Sequence, residues 1–103
     1  MRRTQIVGQI AAGIHSLNPT AKLILFGSEA RGDARPDRDI DLIVLLNQEQ
    51  ITTEEKDTIY SLLYDIELAT LIPINAHIYT QTYWDNRPID PFKINVQNEG
   101  ILL

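Results

Sequence analysis

The stretch FGSEARGDARPDRDID, residues 26–41, joins two apolar runs of the chain. It contains the last residue of the first run and the first three residues of the second, with polar residues between them. The first run, AKLILF, covers residues 21–26 and is bounded by Pro19 and Gly27. The second, DIDLIVLL, covers residues 39–46 and has a high content of β-branched side chains. Short apolar runs bounded by turn residues predict buried strands. We therefore expect two strands joined by a polar loop.

Helical patterns lie on both sides of these strands. Residues 4–17 carry apolar side chains at helical spacing, and Asn18-Pro19 ends that helix. A second helix is expected to open at Thr52, since Glu55 follows three residues later as in a capping box. Its apolar stripe comprises Ile59, Leu62, Leu63 and Ile66.

The remaining third of the chain predicts one more strand and a short helical tail. The strand covers residues 74–79, an amphipathic stretch surrounds Tyr83-Trp84, and one or two helical turns start at Pro91. A further short helix is expected directly after Gly27-Ser28. The predicted order is α-β-loop-β-α-β-α, an α/β (α+β) fold in which helices pack on a small mixed sheet of three to four strands.

Length and composition limit the classes of protein. With 103 residues, we expect a single domain over residues 1–103. The absence of cysteine excludes disulfides and thiolate metal sites. The apolar runs are too short to span a bilayer, and polar residues interrupt the start of the chain where a signal peptide would be apolar. We therefore expect a cytoplasmic protein without a membrane partner.

The charge balance argues against binding to long nucleic acid. The formal net charge is −5, whereas proteins that hold nucleic acid polymers usually present a basic face to the phosphates. Arg31, Arg35 and Arg38 nonetheless lie within eight residues of one another. Such a cluster suits a small anion such as a triphosphate, although a solvated charged loop would have the same composition.

Asp39 and Asp41 are candidate metal ligands. Residues i and i+2 of a strand point to the same side, so these side chains are expected side by side, roughly 6–7 Å apart at Cα. Two neighbouring carboxylates repel each other unless they are protonated or bridged by a cation. Mg²⁺ prefers such oxygen ligands and normally shares them with substrate phosphates. The alternative is a pair of solvated loop aspartates.

Gly27-Ser28 is a candidate phosphate site. A glycine at a strand end allows a sharp turn and a close ligand approach, and a helix starting after it would offer free N–H groups to an anion. An ordinary turn is the alternative. A P-loop is excluded, because Asp33 and Ala34 follow Gly32 where that motif requires Lys and Ser or Thr. Together with the aspartates, the turn suggests a site for phosphoryl or nucleotidyl transfer.

Gly27-Ser28, ten further residues and Asp39-x-Asp41 resemble the signature of the DNA polymerase beta superfamily. More narrowly, GSEARG followed by DIDL resembles the minimal (MNT-type) nucleotidyltransferase domains of prokaryotes. The resemblance extends from the first helix to the third strand, and the tail is also similar. It implies that Asp39 and Asp41 hold Mg²⁺ in a two-metal site and that Gly27 and Ser28 bind the triphosphate, with ATP as the expected nucleotide. It also implies transfer of a nucleoside monophosphate to a hydroxyl, with release of pyrophosphate.

Two residues near this motif have open roles. Arg31 either contacts phosphate or pairs with a neighbouring aspartate. Members of the family usually carry a third carboxylate on the third strand, but residues 73–79 contain none. Asn75 and His77 share a face by alternation, so one of them should occupy its place. His77 is a candidate catalytic base because a neutral imidazole accepts protons near neutral pH, and a partly buried histidine without a catalytic task is the alternative.

Two functional hypotheses follow from the resemblance. The first is an active Mg²⁺-dependent nucleotidyltransferase whose acceptor hydroxyl is brought by another protein. The second is a catalytically silent, antitoxin-like interaction protein that pairs with a helical HEPN-type partner. The missing third carboxylate favours the silent protein, whereas the two retained aspartates favour the enzyme. An edge strand or apolar surface on the second helix could also support a homodimer.

Overall fold

The computed structural model describes residues 2–27 and 39–103, with side chains described from Thr4 onwards. Its helices and strands in chain order are α1 (Arg2–Leu17), β1 (Lys22–Phe26), β2 (Ile40–Leu46), α2 (Thr53–Thr70), β3 (Ile74–Thr80), α3 (Gln81–Asn86), α4 (Pro91–Glu99) and β4 (Ile101–Leu102). The predicted order of helices and strands is confirmed as far as β3, after which the structure has two helices, α3 and α4, where the predicted order had one, and then β4. The short helix expected after Gly27-Ser28 lies outside the described residues.

The strands form a mixed four-stranded sheet in the order β3-β2-β1-β4. Strand β1 pairs antiparallel with both β2 and β4, whereas β2 and β3 are parallel. Parallel neighbours need a long crossover connection, which α2 provides between β2 and β3. This arrangement confirms the predicted mixed sheet with helices packed on it.

One face of the sheet packs against α1 and α2 and forms the main core. Alternate strand residues face this side, and the helices contribute the apolar stripes that their spacing predicted. The buried side chains at its centre include Ile10, Ile14, Leu23, Leu42, Val44, Ile59, Leu63 and Ile78. The capping box that starts α2 is present in full, because the Thr52 hydroxyl accepts from the Glu55 N–H and the Glu55 carboxylate accepts from the Thr52 N–H. It fixes where α2 begins.

The opposite face is covered over only part of its length. Helices α3 and α4 place Trp84 and Val96 against Ile43 and Leu45, and Phe92 packs beside them. Towards the start of β2 this cover ends, and the side chains on the same face become polar. That uncovered end of the sheet holds the candidate site.

No helix in the described part of the chain combines the length and apolar character needed to cross a membrane.

Candidate active site

Three neighbouring strands bring the polar residues of the uncovered face together. Phe26 at the end of β1 lies opposite Asp41 of β2, and Asp41 lies opposite Asn75 of β3. Asp39 directly precedes β2. Because alternate residues of a strand point to the same side, these side chains share the face that α3 and α4 leave open.

Asn75 connects the two aspartates. Its side-chain amide donates to Oδ2 of Asp39 at 2.8 Å and to Oδ1 of Asp41 at 3.3 Å. The two carboxylates therefore point towards a common donor rather than apart. Their side chains are half-buried, so water only partly screens the repulsion between them. Of the two candidates for the third position, Asn75 contacts the acid pair.

Gly27 is held against the same carboxylate. Its φ of +75° lies in the left-handed region that side chains other than glycine rarely adopt. A Cβ built at Gly27 would lie 2.7 Å from Oδ2 of Asp41, closer than atoms of this kind pack. Both observations explain why glycine stands here. They also place the turn that begins the predicted phosphate site directly beside the acid pair.

The carboxylate oxygens of the site can supply some of the ligands that a hard divalent cation requires. Asp39 and Asp41 supply carboxylate oxygens that already converge on the amide of Asn75, a position where positive charge is favoured. Within residues 2–27 and 39–103 no group of three His, Cys, Asp or Glu side chains lies close enough to hold a metal. Two carboxylates match the way Mg²⁺ is usually bound, with substrate phosphates and water completing its coordination.

His77 lies on the same face, two residues beyond Asn75 along β3 and opposite Ile43. Its ring centroid is 5.7 Å from that of Phe92 and 6.2 Å from that of Phe26. The ring is half-buried, and among the described residues it has ring contacts but no hydrogen bond. His77 is therefore a neighbour of the acid pair but does not contact it.

An open cavity of about 560 Å³ joins these residues. Asp41, Asn75 and His77 line it on the sheet, Phe26 and Phe92 form an aromatic wall, and Tyr60 of α2 lies at the edge of β3. Phe92 was not a candidate in the sequence, because its place over the sheet depends on the path of α3 and α4. The one local signal was the start of α4, where Asp90 is the N-cap and Pro91 the first helical residue.

A charged contact fixes the start of α4 beneath this wall. Arg87 pairs with Asp90 at 3.0 Å, and its guanidinium lies 4.9 Å from the Phe92 ring centroid. The backbone N–H of Lys93 and then Arg87 bond to the Asp90 carboxylate and hold its pKa below the ordinary value. The bond to Asp90 likewise raises the pKa of Arg87.

Ser28 and Arg31, the other two predicted nucleotide-binding residues, lie outside the described residues. Of the predicted site residues that the structure describes, Gly27, Asp39 and Asp41 lie together, and His77 lies two residue pairs further along β2 and β3.

Known proteins of similar sequence or structure point to one family. The family model described as a nucleotidyltransferase domain matches residues 7–103. A Methanocaldococcus jannaschii protein with the name "putative protein adenylyltransferase" is 42% identical over 57 residues, which cover 50% of this chain and 57% of that protein. The match thus spans little more than half of the relative's length. A crystal structure of a "putative nucleotidyltransferase" from Sulfolobus solfataricus superimposes with a TM-score of 0.64 over 98% of this chain and 78% of that one, at 16% identity. This last likeness concerns the fold.

Proposed function

Because this chain belongs to the nucleotidyltransferase domain family, we propose that it binds ATP or another nucleoside triphosphate with Mg²⁺ and transfers the nucleoside monophosphate to a hydroxyl on a partner protein. One observation carries the proposal: Asp39 and Asp41 converge on Asn75 directly beside the left-handed turn at Gly27. Carboxylates that can hold a metal, placed beside a turn predicted to bind phosphate, are what the transfer of a charged phosphoryl group requires.

Each residue has a task in this proposal. Asp39 and Asp41 hold the metal, and Gly27 and Ser28, with Arg31 as a further contact, hold the β- and γ-phosphates. Bound Mg²⁺ supplies charge neutralisation and polarises the phosphoryl oxygens in one- or two-metal sites. The acceptor oxygen forms a bond to the α-phosphorus while the bond from that phosphorus to the pyrophosphate oxygen breaks. The hydroxyl proton passes to the imidazole of His77, and pyrophosphate leaves.

Two considerations support a protein as the acceptor. The relative from Methanocaldococcus jannaschii carries protein adenylyltransferase in its name. In addition, the candidate site is an open cavity on a sheet face rather than a closed pocket, in what we propose is one small domain over residues 1–103. Such a surface leaves room for a second macromolecule to present its hydroxyl.

A catalytically silent interaction protein is the second candidate, and Asn75 is the observation that favours it. The amide donates to both carboxylates and thereby offsets part of their repulsion. The two side chains can therefore lie together in a protein that no longer turns over. In this case the chain would act by pairing with a helical, HEPN-type partner.

Release of pyrophosphate separates the two candidates. The wild-type chain is incubated with Mg²⁺ and hydroxyl-bearing peptides, and with ATP labelled at either the α- or the γ-phosphate. The enzyme predicts label on the peptide from α-labelled ATP alone, together with an equal amount of pyrophosphate. Asp41→Asn should abolish both signals, whereas Asp65→Asn on the exposed surface of α2 should change neither. Absence of transfer with intact ATP binding would support the silent protein, and label from γ-labelled ATP would contradict nucleotidyl transfer.

A further inference from the structure

We propose that the free edge of β3 binds an extended, basic segment of the acceptor protein as an added strand, and that this strand presents the hydroxyl to the site. The proposal rests on the proposed function and assigns how its macromolecular substrate is held. An added strand gains affinity from backbone hydrogen bonds and specificity from alternate side chains. An edge that binds a strand therefore needs free backbone groups and space for alternate side chains.

The backbone groups of β3 divide into two sets. The N–H of Ile40 donates to the Pro73 carbonyl at 2.9 Å, which fixes the phase of the parallel pairing. In a parallel pair, alternate residues direct both backbone groups to the neighbouring strand. Asn75, His77 and Tyr79 therefore bond to β2, while the N–H and C=O groups of Ala76 and Ile78 point away from it. Since β3 ends the sheet order, no strand in the described ranges pairs with these groups.

This edge lacks the usual protection over its middle. The outward N–H of Ile74 is already taken, since it donates to Oε1 of Glu67 at 3.0 Å. Proline, lysine and bulges are the common means of preventing edge pairing, and neither Ala76 nor Ile78 is such a residue. In the part of the chain that the structure describes, their outward groups have no hydrogen-bond partner. A segment of extended chain could therefore pair with them.

Three open cavities follow the edge in turn. The first, about 570 Å³, is lined by Ile74 with Tyr60 and Tyr64 of α2. The second is the 560 Å³ cavity of the site, which also includes Ala76. The third, about 380 Å³, is lined by Ile78, Thr80 and Tyr83 together with Lys56 of α2. Cavities thus lie along the length of β3, and the middle one is the cavity that Asp41 lines.

Alternation then assigns the two faces of the added strand. Side chains on one face would share the sheet face of Asn75 and His77, which is where the acceptor hydroxyl is needed. Side chains on the other face would meet α2, where Tyr60 and Tyr64 are exposed. In the first cavity Asp57 and Glu67 add negative charge and no basic residue lines it, whereas Lys56 lines the third cavity. Lysine or arginine satisfies both features, because an apolar stem carries a positive head.

A second copy of this chain is a poorer occupant. Pairing β3 with β3 of another copy would bring two acidic α2 surfaces together in a protein of net charge −5. Like charges placed opposite each other oppose association. Charge complementarity therefore favours a basic segment of a different protein.

The test uses peptides of seven residues, the length of β3. The probe is Lys-Val-Lys-Tyr-Lys-Val-Lys, which places the hydroxyl and the lysines on opposite faces, and its matched control replaces every Lys by Glu. Transfer from α-labelled ATP to the tyrosine is measured with the wild-type chain. N-methylation of one alternate set of peptide amides should lower the labelling about tenfold, while methylation of the other set should lower it less than about twofold, because an added strand uses only every second N–H.

Variants of Ala76 test whether the outward N–H of β3 contributes to peptide binding. Ala76→Pro removes one outward N–H and should lower labelling about tenfold, whereas Ala76→Gly keeps the N–H and should lower it less than about twofold. Stabilisation by ATP with Mg²⁺ should be the same in all three, which shows that they fold and bind nucleotide. Equal effects of both methylation patterns, labelling of the Glu control at the rate of the probe, or no labelling of the probe by a chain that labels other hydroxyl-bearing peptides would each overturn the edge proposal. So would a dimer in sedimentation that Ala76→Pro dissociates. Absence of ATP binding in the wild type, or ATP binding without transfer to any hydroxyl-bearing peptide, would instead overturn the proposed function.

Discussion

Gly27→Ala is expected to change both the stability of the protein and its binding of nucleotide. Gly27 has a φ of +75°, and its missing Cβ leaves the space that Oδ2 of Asp41 occupies at 2.7 Å from the ideal Cβ position. Alanine would therefore impose both a disfavoured backbone conformation and a displacement of one candidate metal ligand. Stability and nucleotide binding should fall together.

The left-handed conformation costs about 1–2 kcal/mol for a residue with a Cβ. The contact with Asp41 adds less, because this half-buried carboxylate can rotate away at the expense of its longer bond from Asn75, 3.3 Å. In a domain of this size each 1 kcal/mol lowers the melting temperature by about 4–8 °C. We expect Gly27→Ala to melt about 4–16 °C below the wild type.

Gly8→Ala is the matched control. Gly8 lies on the exposed side of α1, and nothing surrounds its ideal Cβ position within 4 Å. The same chemical change should raise stability here by about 0.5–1 kcal/mol, since alanine favours the helix. The assay is thermal unfolding followed by circular dichroism, with and without ATP and Mg²⁺. A Gly27→Ala protein that melts at or above the wild-type temperature and keeps its response to ATP would refute the reasoning.

Three further predictions concern the site and its support. Asn75→Asp removes the shared amide and adds a third carboxylate, so it should lower the melting temperature without metal and increase the stabilisation by Mg²⁺, measured by thermal unfolding over a magnesium titration. An unchanged magnesium response would contradict the shared site. His77→Gln should reduce nucleotidyl transfer by about 10²-fold and leave ATP-dependent stabilisation intact, because general-base catalysis contributes 10²–10⁴-fold; equal transfer rates would assign His77 a packing role. The lowered pKa of Asp90 means that its ionised form contributes stability above its ordinary pKa, and that this contribution is lost as the pH falls through the lowered value. In urea unfolding at several pH values, Asp90→Asn should therefore be less stable than the wild type near neutral pH and should match it in acid; a constant difference would contradict the assignment.

The sequence predicts the secondary structure well because local signals were strong. Apolar spacing located α1, and Thr52 with Glu55 located the start of α2, where both bonds of the capping box are present. The first three strands appear within one residue of the predicted limits, because each is a short apolar run and Pro19, Gly27 and Pro73 mark ends of the first and third. Only β4, two residues long, carried no pattern of its own.

The sequence predicted those contacts of the site that form between residues close together in the chain, but not those between distant ones. Asp39 and Asp41 are two residues apart, so their proximity follows from strand geometry. The role of Asn75 depends on the register between β2 and β3, which places it opposite Asp41 and not one residue away. The cover of Phe92 and the free edge of β3 depend on how the tail folds back over the sheet. The roles of Ser28 and Arg31, the cytoplasmic location and a homodimer remain predictions.

The most direct test of the central claim is stabilisation by ATP in the presence and absence of Mg²⁺. With ATP at about 100 times its dissociation constant, binding should stabilise the wild type by about 2.7 kcal/mol. The Asp39→Asn/Asp41→Asn protein should fold and show no such shift, whereas the control Asp57→Asn/Asp65→Asn on the exposed surface of α2 should respond like the wild type. Stabilisation that requires Mg²⁺ and both site aspartates is the predicted result. An equal shift without Mg²⁺, or in the Asp39→Asn/Asp41→Asn protein, would contradict the account.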